Sequence, residues 1–378
     1  MTANATGRAL KIICVVGARP NFMKMAPILN AMAARPGRFA PLLVHTGQHY
    51  DEKMSQTFFT ELGLPRPDLD LGVGSGSHAV QTAKVMVAFE EVCLQHQPDR
   101  ILVVGDVNST LAATLVGAKL GIPVAHVEAG LRSRDMSMPE EVNRLCTDVL
   151  CDQLYTTDAL ADENLRAEGI PAERIHRVGN VMIDSLRRHQ AAAANRPVLQ
   201  QFGLQPGGYA LLTLHRPATV DDRVLLEPLL RRLHGLAQQL PVIFPIHPRT
   251  RGRIEAFGLG DLLNEDLPAR GLFVTEPLGY LDFLALTMHA RLVATDSGGL
   301  QEETTVLGVP CLTLRDNTER PITCTEGTNR LIGRDPDRFE QAFLAALQSD
   351  HQQARIPELW DGHAAGRIVD VLLHTPVT

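Results

Sequence analysis

Short apolar runs alternate with amphipathic stretches along most of this chain. Lys11–Val16, Pro41–His45, Ile101–Val104, Val124–Val127 and Leu154–Thr156 are too short for helices and mostly apolar, which predicts buried strands. A helix opening at Pro20 or Asn21 and running through Ala34 carries Phe22, Met25, Ala26, Ile28 and Leu29 on one face. Further helices are expected from about Asp51, over His78–His96, up to Leu120, from near Pro139, and over Asp158–Glu168. Strands and helices alternating in this way predict a parallel sheet covered on both faces. Leu69–Ser77, with Gly72, Gly74 and Gly76, reads as a loop that does not follow a strand in a βαβ unit, which argues against a dinucleotide fingerprint.

Asn180–Ala194 reads as a helix, and Asn195–Gly208, rich in Pro, Gly and Gln, as a linker zone. The pattern then restarts. Tyr209–Leu214, Val242–Ile246, Leu272–Val274, Leu292–Ala294 and Cys311–Leu314 are predicted strands, and Asp221–Leu240, Arg338–Leu347 and Ala364–Leu373 are predicted helices. At 378 residues the chain is longer than one core usually supports. The reading is therefore an α/β protein of two Rossmann-like halves, residues 1–180 and 181–360, followed by a last helical segment, 361–378. Ligands of open α/β sheets bind outside the carboxyl ends of the strands, so an active-site cleft between the halves is expected.

Composition narrows the function by exclusion. A net charge of −7 without a long basic run argues against nucleic acid or an anionic membrane as partner. No apolar segment approaches the ~20 residues that span a bilayer, and Ile12–Val16 is too short for a secretion signal. A cytoplasmic protein is expected. Six cysteines, at 14, 93, 146, 151, 311 and 324, include no C-x-x-C pair and read as reduced thiols. His126-Val127-Glu128 resembles the H-x-E of zinc deaminases, but Cys146 and Cys151 lack the Pro-Cys-x-x-Cys that would complete it. No H-E-x-x-H, phosphate-loop or G-x-S-x-G motif occurs, so neither a metal, a cofactor nor a nucleophilic serine is expected.

The polar residues that remain collect just past predicted strands. Arg19, Asp106 and Glu128 do so in the first half, with Glu140 one loop further on; His215, His247 and Asp296-Ser297 do so in the second. Thr295–Glu303 reads as strand, tight turn and helix start. Ser297, Gly298 and Gly299 then offer backbone amides at a helix N-terminus, a site for a phosphate or diphosphate, and Glu303 can reach a ribose hydroxyl. The same stretch also fits a buried Gly-Gly turn. Asp106 suits acid–base work or a cap for the helix near Asn108; Glu140 and Glu141 suit a helix N-terminus in any protein. Glu128, between an apolar strand and Ala-Gly, is a partly buried carboxylate that needs a partner or a task. Arg19, Lys24, Arg144, His215 and Arg216 could supply a local positive field.

These residues stand in motifs. Gly17-Ala18-Arg19-Pro20 with Lys24, Gly105-Asp106 before Asn-Ser-Thr, and His126-Val127-Glu128-Ala129-Gly130-Leu131-Arg132 resemble the bacterial non-hydrolysing UDP-N-acetylglucosamine 2-epimerases. So do Pro139-Glu140-Glu141-x-Asn143-Arg144, His215-Arg216, Thr295–Glu303 and Thr318-Glu319-Arg320-Pro321, in order from about residue 11 to 370. The resemblance implies the glycosyltransferase-B architecture, a last helix packed back on the first domain, a homodimer, and a UDP-sugar substrate. It implies inversion at C2 of UDP-N-acetylglucosamine by elimination of UDP to 2-acetamidoglucal and re-addition. Asp106, Glu128, Glu140 and His215 are then the catalytic candidates, and Arg19, Lys24, Arg144, His247, Ser297, Gly298, Glu303 and Arg320 the substrate-binding ones. His45–Asp51 and His247-Pro248-Arg249-Thr250 also resemble relatives that epimerise UDP-2,3-diacetamido-glucuronic acid. A retaining glycosyltransferase of the same architecture and a non-catalytic nucleotide-sugar binder are the other readings.

Overall fold

The computed structural model describes residues 8–47, 62–63, 65–263, 271–348 and 355–375. Gln48, His49, Tyr50 and the helix expected from Asp51 lie outside the described residues. The chain divides into two compact units, Met1–Arg188 with Glu358–Thr378, and His189–Pro357. The division falls within the helix Val181–Ala194.

Among the described residues unit 1 holds seven strands: β1 (Leu10–Val16), β2 (Phe39–His45), β3 (Leu69–Asp70), β4 (Arg100–Val104), β5 (Val124–Ala129), β6 (Gln153–Thr156) and β7 (Ile175–Arg177). They pair in the order β3-β2-β1-β4-β5-β6-β7, with every paired register parallel. Unit 2 repeats the plan with β8 (Ala210–Thr213), β9 (Val242–Pro245), β10 (Leu272–Thr275), β11 (Leu292–Thr295), β12 (Cys311–Thr313) and β13 (Asn329–Leu331), ordered β10-β9-β8-β11-β12-β13. Helices cover the faces, so the central strands β1, β4 and β5 are buried almost throughout. In each sheet the winding reverses beside the first strand, between β1 and β4 and between β8 and β11.

Three short strands depart from the sequence reading. β3, β7 and β13 are two or three residues long, below the length at which an apolar pattern registers. Because β3 ends at Asp70, one residue short of Gly72, the Gly72–Gly76 loop does follow a strand, contrary to expectation, and leads into the helix His78–His96. The linker zone contains a short helix, Val198–Gln201. The helix expected over Asp221–Leu240 is instead a turn at Pro217–Val220 and then Arg223–Leu236, started by Asp222, whose carboxylate accepts from the Val224 amide at 2.9 Å.

The segment after Pro357 is built into unit 1. Trp360 is fully buried and its Nε1 donates to the Thr157 carbonyl at 3.0 Å. Asp184 accepts from the first amides of the helix Ala364–His374, Ala364 at 3.2 Å and Ala365 at 2.9 Å. Gly179 cannot carry a side chain here: its φ is +89°, and a Cβ would lie 2.1 Å from the Leu359 carbonyl oxygen. The Trp360→Ala variant should lose about 3–5 kcal/mol of unit 1 stability, read as a lower first transition in urea or calorimetry.

Candidate active site

Each unit gathers its candidate residues where the sheet reverses, and in each a single buried side chain ties the two diverging strand ends together. In unit 1 this is Asn21. Its Oδ1 accepts from the Gly17 and Ala18 amides after β1, at 3.2 and 2.9 Å, and its Nδ2 donates to the Val104 carbonyl at the end of β4, at 3.0 Å. In unit 2 it is Asp296, fully buried after β11. Its carboxylate accepts from the His215 and Arg216 amides after β8, at 2.9 and 2.8 Å, and from His215 Nδ1 at 2.9 Å. Burial alone would raise the Asp296 carboxyl; the His215 ring and these amides outweigh it and hold the group ionised below its ordinary range.

Asp106 lies two residues past β4 and Glu128 is the last residue but one of β5. Asp106 does not cap the helix Asn108–Leu120, whose first flanking residue is Val107; its carboxylate is about one-third exposed and pairs with Arg144. Glu128 is buried and pairs with Lys24. The two groups meet around Gly105, where an added Cβ would stand 3.3 Å from Lys24 Nζ and 3.6 Å from Glu128 Oε2. The Glu128 backbone is left-handed, φ +73°, at a register shift between Val127 and Ala129. For a glutamate that conformation costs on the order of 1–3 kcal/mol and persists only where its surroundings fix it. The strand therefore runs past Val127, and the bulge turns the Glu128 side chain toward Lys24.

Glu140 and Glu141 divide two tasks that the sequence could not separate. Glu141 is buried; it accepts from the Ser133 and Arg134 amides at 3.0 and 2.8 Å and from Arg144 Nη2 at 2.6 Å. Its burial is offset by those amides and by Arg144, and the carboxyl is held below its usual range. Glu140 lies half-buried in the first turn of the same helix, Pro139–Leu150. One turn on, Asn143 Nδ2 donates to the Asp106 carbonyl at 2.8 Å, and Arg144 holds the Asp106 carboxylate, so this helix is fastened to the Asp106 turn. Arg144 is thus a buried clamp between two acids rather than an open cation, while Arg19 is exposed at the first turn of the helix Arg19–Ala33.

In unit 2, Ser297 flanks the helix Gly298–Leu307 and its side chain does not cap it. Gly298 lies against a buried cluster in which Glu319 Oε1 receives Arg320 Nη1 at 2.7 Å and Oε2 receives Arg315 Nη2 at 2.7 Å. Arg216 Nη2 stands 3.8 Å from the same carboxylate, and Arg320 also meets Glu302 at 2.7 Å. A Cβ on Gly298 would fall 2.8 Å from both Arg320 Nη1 and Glu319 Oε1, so a side chain there would have to displace this ion pair. Arg320 and Arg315 overcome burial and hold Glu319 far below the carboxylate range. His247 flanks the helix Pro248–Ala256, its ring 5.9 Å from that of His215; burial first, then the neighbouring His215, lowers its basicity. Glu303 is buried with Tyr280 Oη donating to it at 2.9 Å, and burial pushes its carboxyl up to about 7. Arg315 and Tyr280 were missed in sequence reading, and Asn21, Glu141 and Glu319 were noticed only as a helix start or as motif letters, since each carries its role through a contact.

Among the described residues no group of three or more His, Cys, Asp or Glu could hold a metal ion, and no helix is long and apolar enough to cross a membrane. What the arrangement offers is a set of paired carboxylates in unit 1 and, in unit 2, arginines and helix amides suited to an anion.

Comparison with known proteins agrees with this chemistry. Residues 30–373 match the family described as UDP-N-acetylglucosamine 2-epimerase. A UDP-N-acetylglucosamine 2-epimerase of Methanococcus maripaludis is 40% identical over 96% of this chain and 98% of its own. A UDP-2,3-diacetamido-2,3-dideoxy-D-glucuronate 2-epimerase of Pseudomonas aeruginosa is 39% identical over 96% of this chain and 99% of its own. The crystal structure of Methanocaldococcus jannaschii UDP-GlcNAc 2-epimerase in complex with UDP-GlcNAc and UDP aligns with a TM-score of 0.88 at 40% identity, covering 97% of this chain and 100% of that one.

Glu303 gives a pH-dependent test of strain. Its carboxyl titrates at about 7 in the fold against an ordinary 4.5, so its stability contribution is complete below about 4.5 and is lost as pH rises through about 7. Glu303→Gln keeps an acceptor for Tyr280 and should stabilise unit 2 by on the order of 2 kcal/mol at pH 8. The gain should vanish near pH 4.5 in pH-resolved thermal melts.

Proposed function

The chain belongs to the UDP-N-acetylglucosamine 2-epimerase family, and from that premise we propose that it interconverts UDP-N-acetylglucosamine and UDP-N-acetylmannosamine. The observation that carries the reading is the pairing of candidate acids at one end of the unit 1 sheet, Asp106 with Arg144 and Glu128 with Lys24, with Glu140 on the helix fastened to them. Inversion at C2 needs such groups. The C2 hydrogen is not acidic, so the C1–O bond breaks first, its electron pair leaving with UDP. A carboxylate then takes the C2 proton and the C1=C2 bond of 2-acetamidoglucal forms. Return of a proton to the opposite face, with re-addition of UDP at C1, gives the epimer. Taking from one face and giving to the other requires two acid/base groups. Asp106, Glu128 and Glu140 supply them in this reading, with His215 beside the leaving group.

The departing diphosphate carries charge that must be met by donors already in place. Ser297, the amides from Gly298 onward, Arg19 and Arg320 suit it, and Glu303 suits the ribose. Lys24, Arg144 and His247 act in this scheme from beside the site, through Glu128, Asp106 and His215. The six cysteines are unpaired thiols, in keeping with a reducing cytoplasm. The 39% identity to the diacetamido-glucuronate epimerase supports a second substrate reading with the same chemistry.

We also propose a homodimer. Val80, Val87 and Leu94 stand exposed at seven-residue spacing on the helix His78–His96, and Val142 and Val149 repeat that spacing on Pro139–Leu150. A groove of roughly 500 Å³ lined by Thr82, Met86, Leu111 and Val142 draws its walls from both of these helices. Exposed apolar side chains repeated along two helices favour a protein partner, and a second copy is the partner proposed.

Incubation with UDP-N-acetylglucosamine in deuterated water should place deuterium at C2 and yield the manno epimer; the diacetamido-uronate sugar, run in parallel, decides the substrate. Retention of the C2 proton in both sugars would leave only transfer or binding. Asp106→Asn, Glu128→Gln and Glu140→Gln should each lower turnover at least ~100-fold. Val87→Glu with Leu94→Glu should sediment with the mass of one chain, and the unaltered protein with that of two.

A further inference from the structure

His126 and Asp148 are buried, belong to no step above, and lie beside both Asp106 and Glu128 in the chain or in space. His126 sits on β5, two residues before Glu128, and is wholly shielded from solvent. Its Nδ1 donates to Asp148 Oδ1 at 2.6 Å and its Nε2 to the Gly105 carbonyl at 2.9 Å. Both partners are acceptors only, so a ring that satisfies both bears a proton on each nitrogen and a positive charge. Asp148, equally shielded, balances that charge. Its second oxygen accepts from the Gly130 amide at 3.0 Å and from Arg132 Nη1 at 2.7 Å. Arg132 in turn is held by Glu168, at 2.8 and 2.6 Å.

A buried ion pair is weak support for a fold, because well-packed apolar residues often serve equally well. What this pair does that apolar residues could not is bond to two particular peptide groups. The Gly105 carbonyl belongs to the peptide that leads into Asp106, and the Gly130 amide lies two residues beyond Glu128. Between His126 and Gly130 the chain makes its bulge, with Glu128 left-handed at the centre. Lys24 holds the Glu128 side chain; the flanks of the turn are held by His126 and Asp148. Gly130 is packed so closely that a Cβ would sit 2.4 Å from the Ala161 carbonyl oxygen, so the turn has no room for a side chain there.

We propose that His126 and Asp148 are positioning residues for the epimerisation, a charged staple that fixes the Asp106 turn and the Glu128 bulge against each other. The proposal rests on the reading of Asp106 and Glu128 as acid/base groups. A displacement of either carboxylate by about 1 Å slows proton transfer while leaving the diphosphate site in unit 2 untouched.

The test compares Asp148→Asn, His126→Asn and His126→Gln with the unaltered full-length protein. It measures kcat and KM for epimerisation, the rate of C2 deuterium uptake, UDP affinity by calorimetry, and melting. Asp148→Asn and His126→Asn should lose roughly 10- to 100-fold in kcat and in deuterium uptake, with KM and UDP affinity within about three-fold. His126→Gln, whose amide nitrogen can occupy the place of Nε2 and still donate to Gly105, should recover part of the loss. Should Asp148→Asn not fold, the His126→Gln and His126→Asn pair decides the matter by the same contrast. Folded variants with kcat within three-fold of the unaltered protein, or equal losses in His126→Gln and His126→Asn, overturn the staple. If Asp106→Asn and Glu128→Gln, measured alongside, keep full turnover, the acid/base reading itself falls.

Discussion

Where a parallel sheet winds outward in both directions from its first strand, the two central strand ends part company, and the amides there have no ladder to join. Everything distinctive about this protein follows from how those amides are satisfied. Unit 1 uses the neutral side chain of Asn21, and unit 2 the carboxylate of Asp296. The choice sets the local charge. A neutral tie leaves the unit 1 crevice to acids that bring their own cations, Lys24 and Arg144. An anionic tie in unit 2 orients the His215 ring through Nδ1 and leaves Nε2 for other work.

The two units also handle buried charge differently. In unit 1 Glu128 pairs with Lys24, while Asp106 and Glu141 share Arg144. In unit 2 Arg216, Arg315 and Arg320 surround Glu319, with Glu302 as the second acid, at the start of the helix Gly298–Leu307. Glu303 stands apart, held by a tyrosine hydroxyl and no cation, which is why its carboxyl is pushed up while Glu319 is pulled down.

Most of the sheet was legible in the sequence because its central strands are continuous apolar runs. Lys11–Val16 and Ile101–Val104 were anticipated to within a residue. Two- and three-residue edge strands carry no such pattern, so β3, β7 and β13 were invisible, and with β3 the true setting of the Gly72–Gly76 loop. Turns announced their polar residues but not their partners. Arg144 read as a cation for a ligand, yet it lies buried between Asp106 and Glu141; Glu140 and Glu141, alike as adjacent letters, face different surroundings because a helix rotates them about 100° apart. The left-handed Glu128 could not be foreseen, since only the packed fold makes that conformation tolerable.

The return of Glu358–Thr378 to the first unit has a consequence for biosynthesis. During translation, the groove that receives Trp360 and the carboxylate of Asp184 stay open while residues 189–357 are made. At ordinary ribosome speeds that interval is on the order of ten to thirty seconds. For that time the nascent protein carries an unsealed apolar seam, and the second unit can finish folding before the first does.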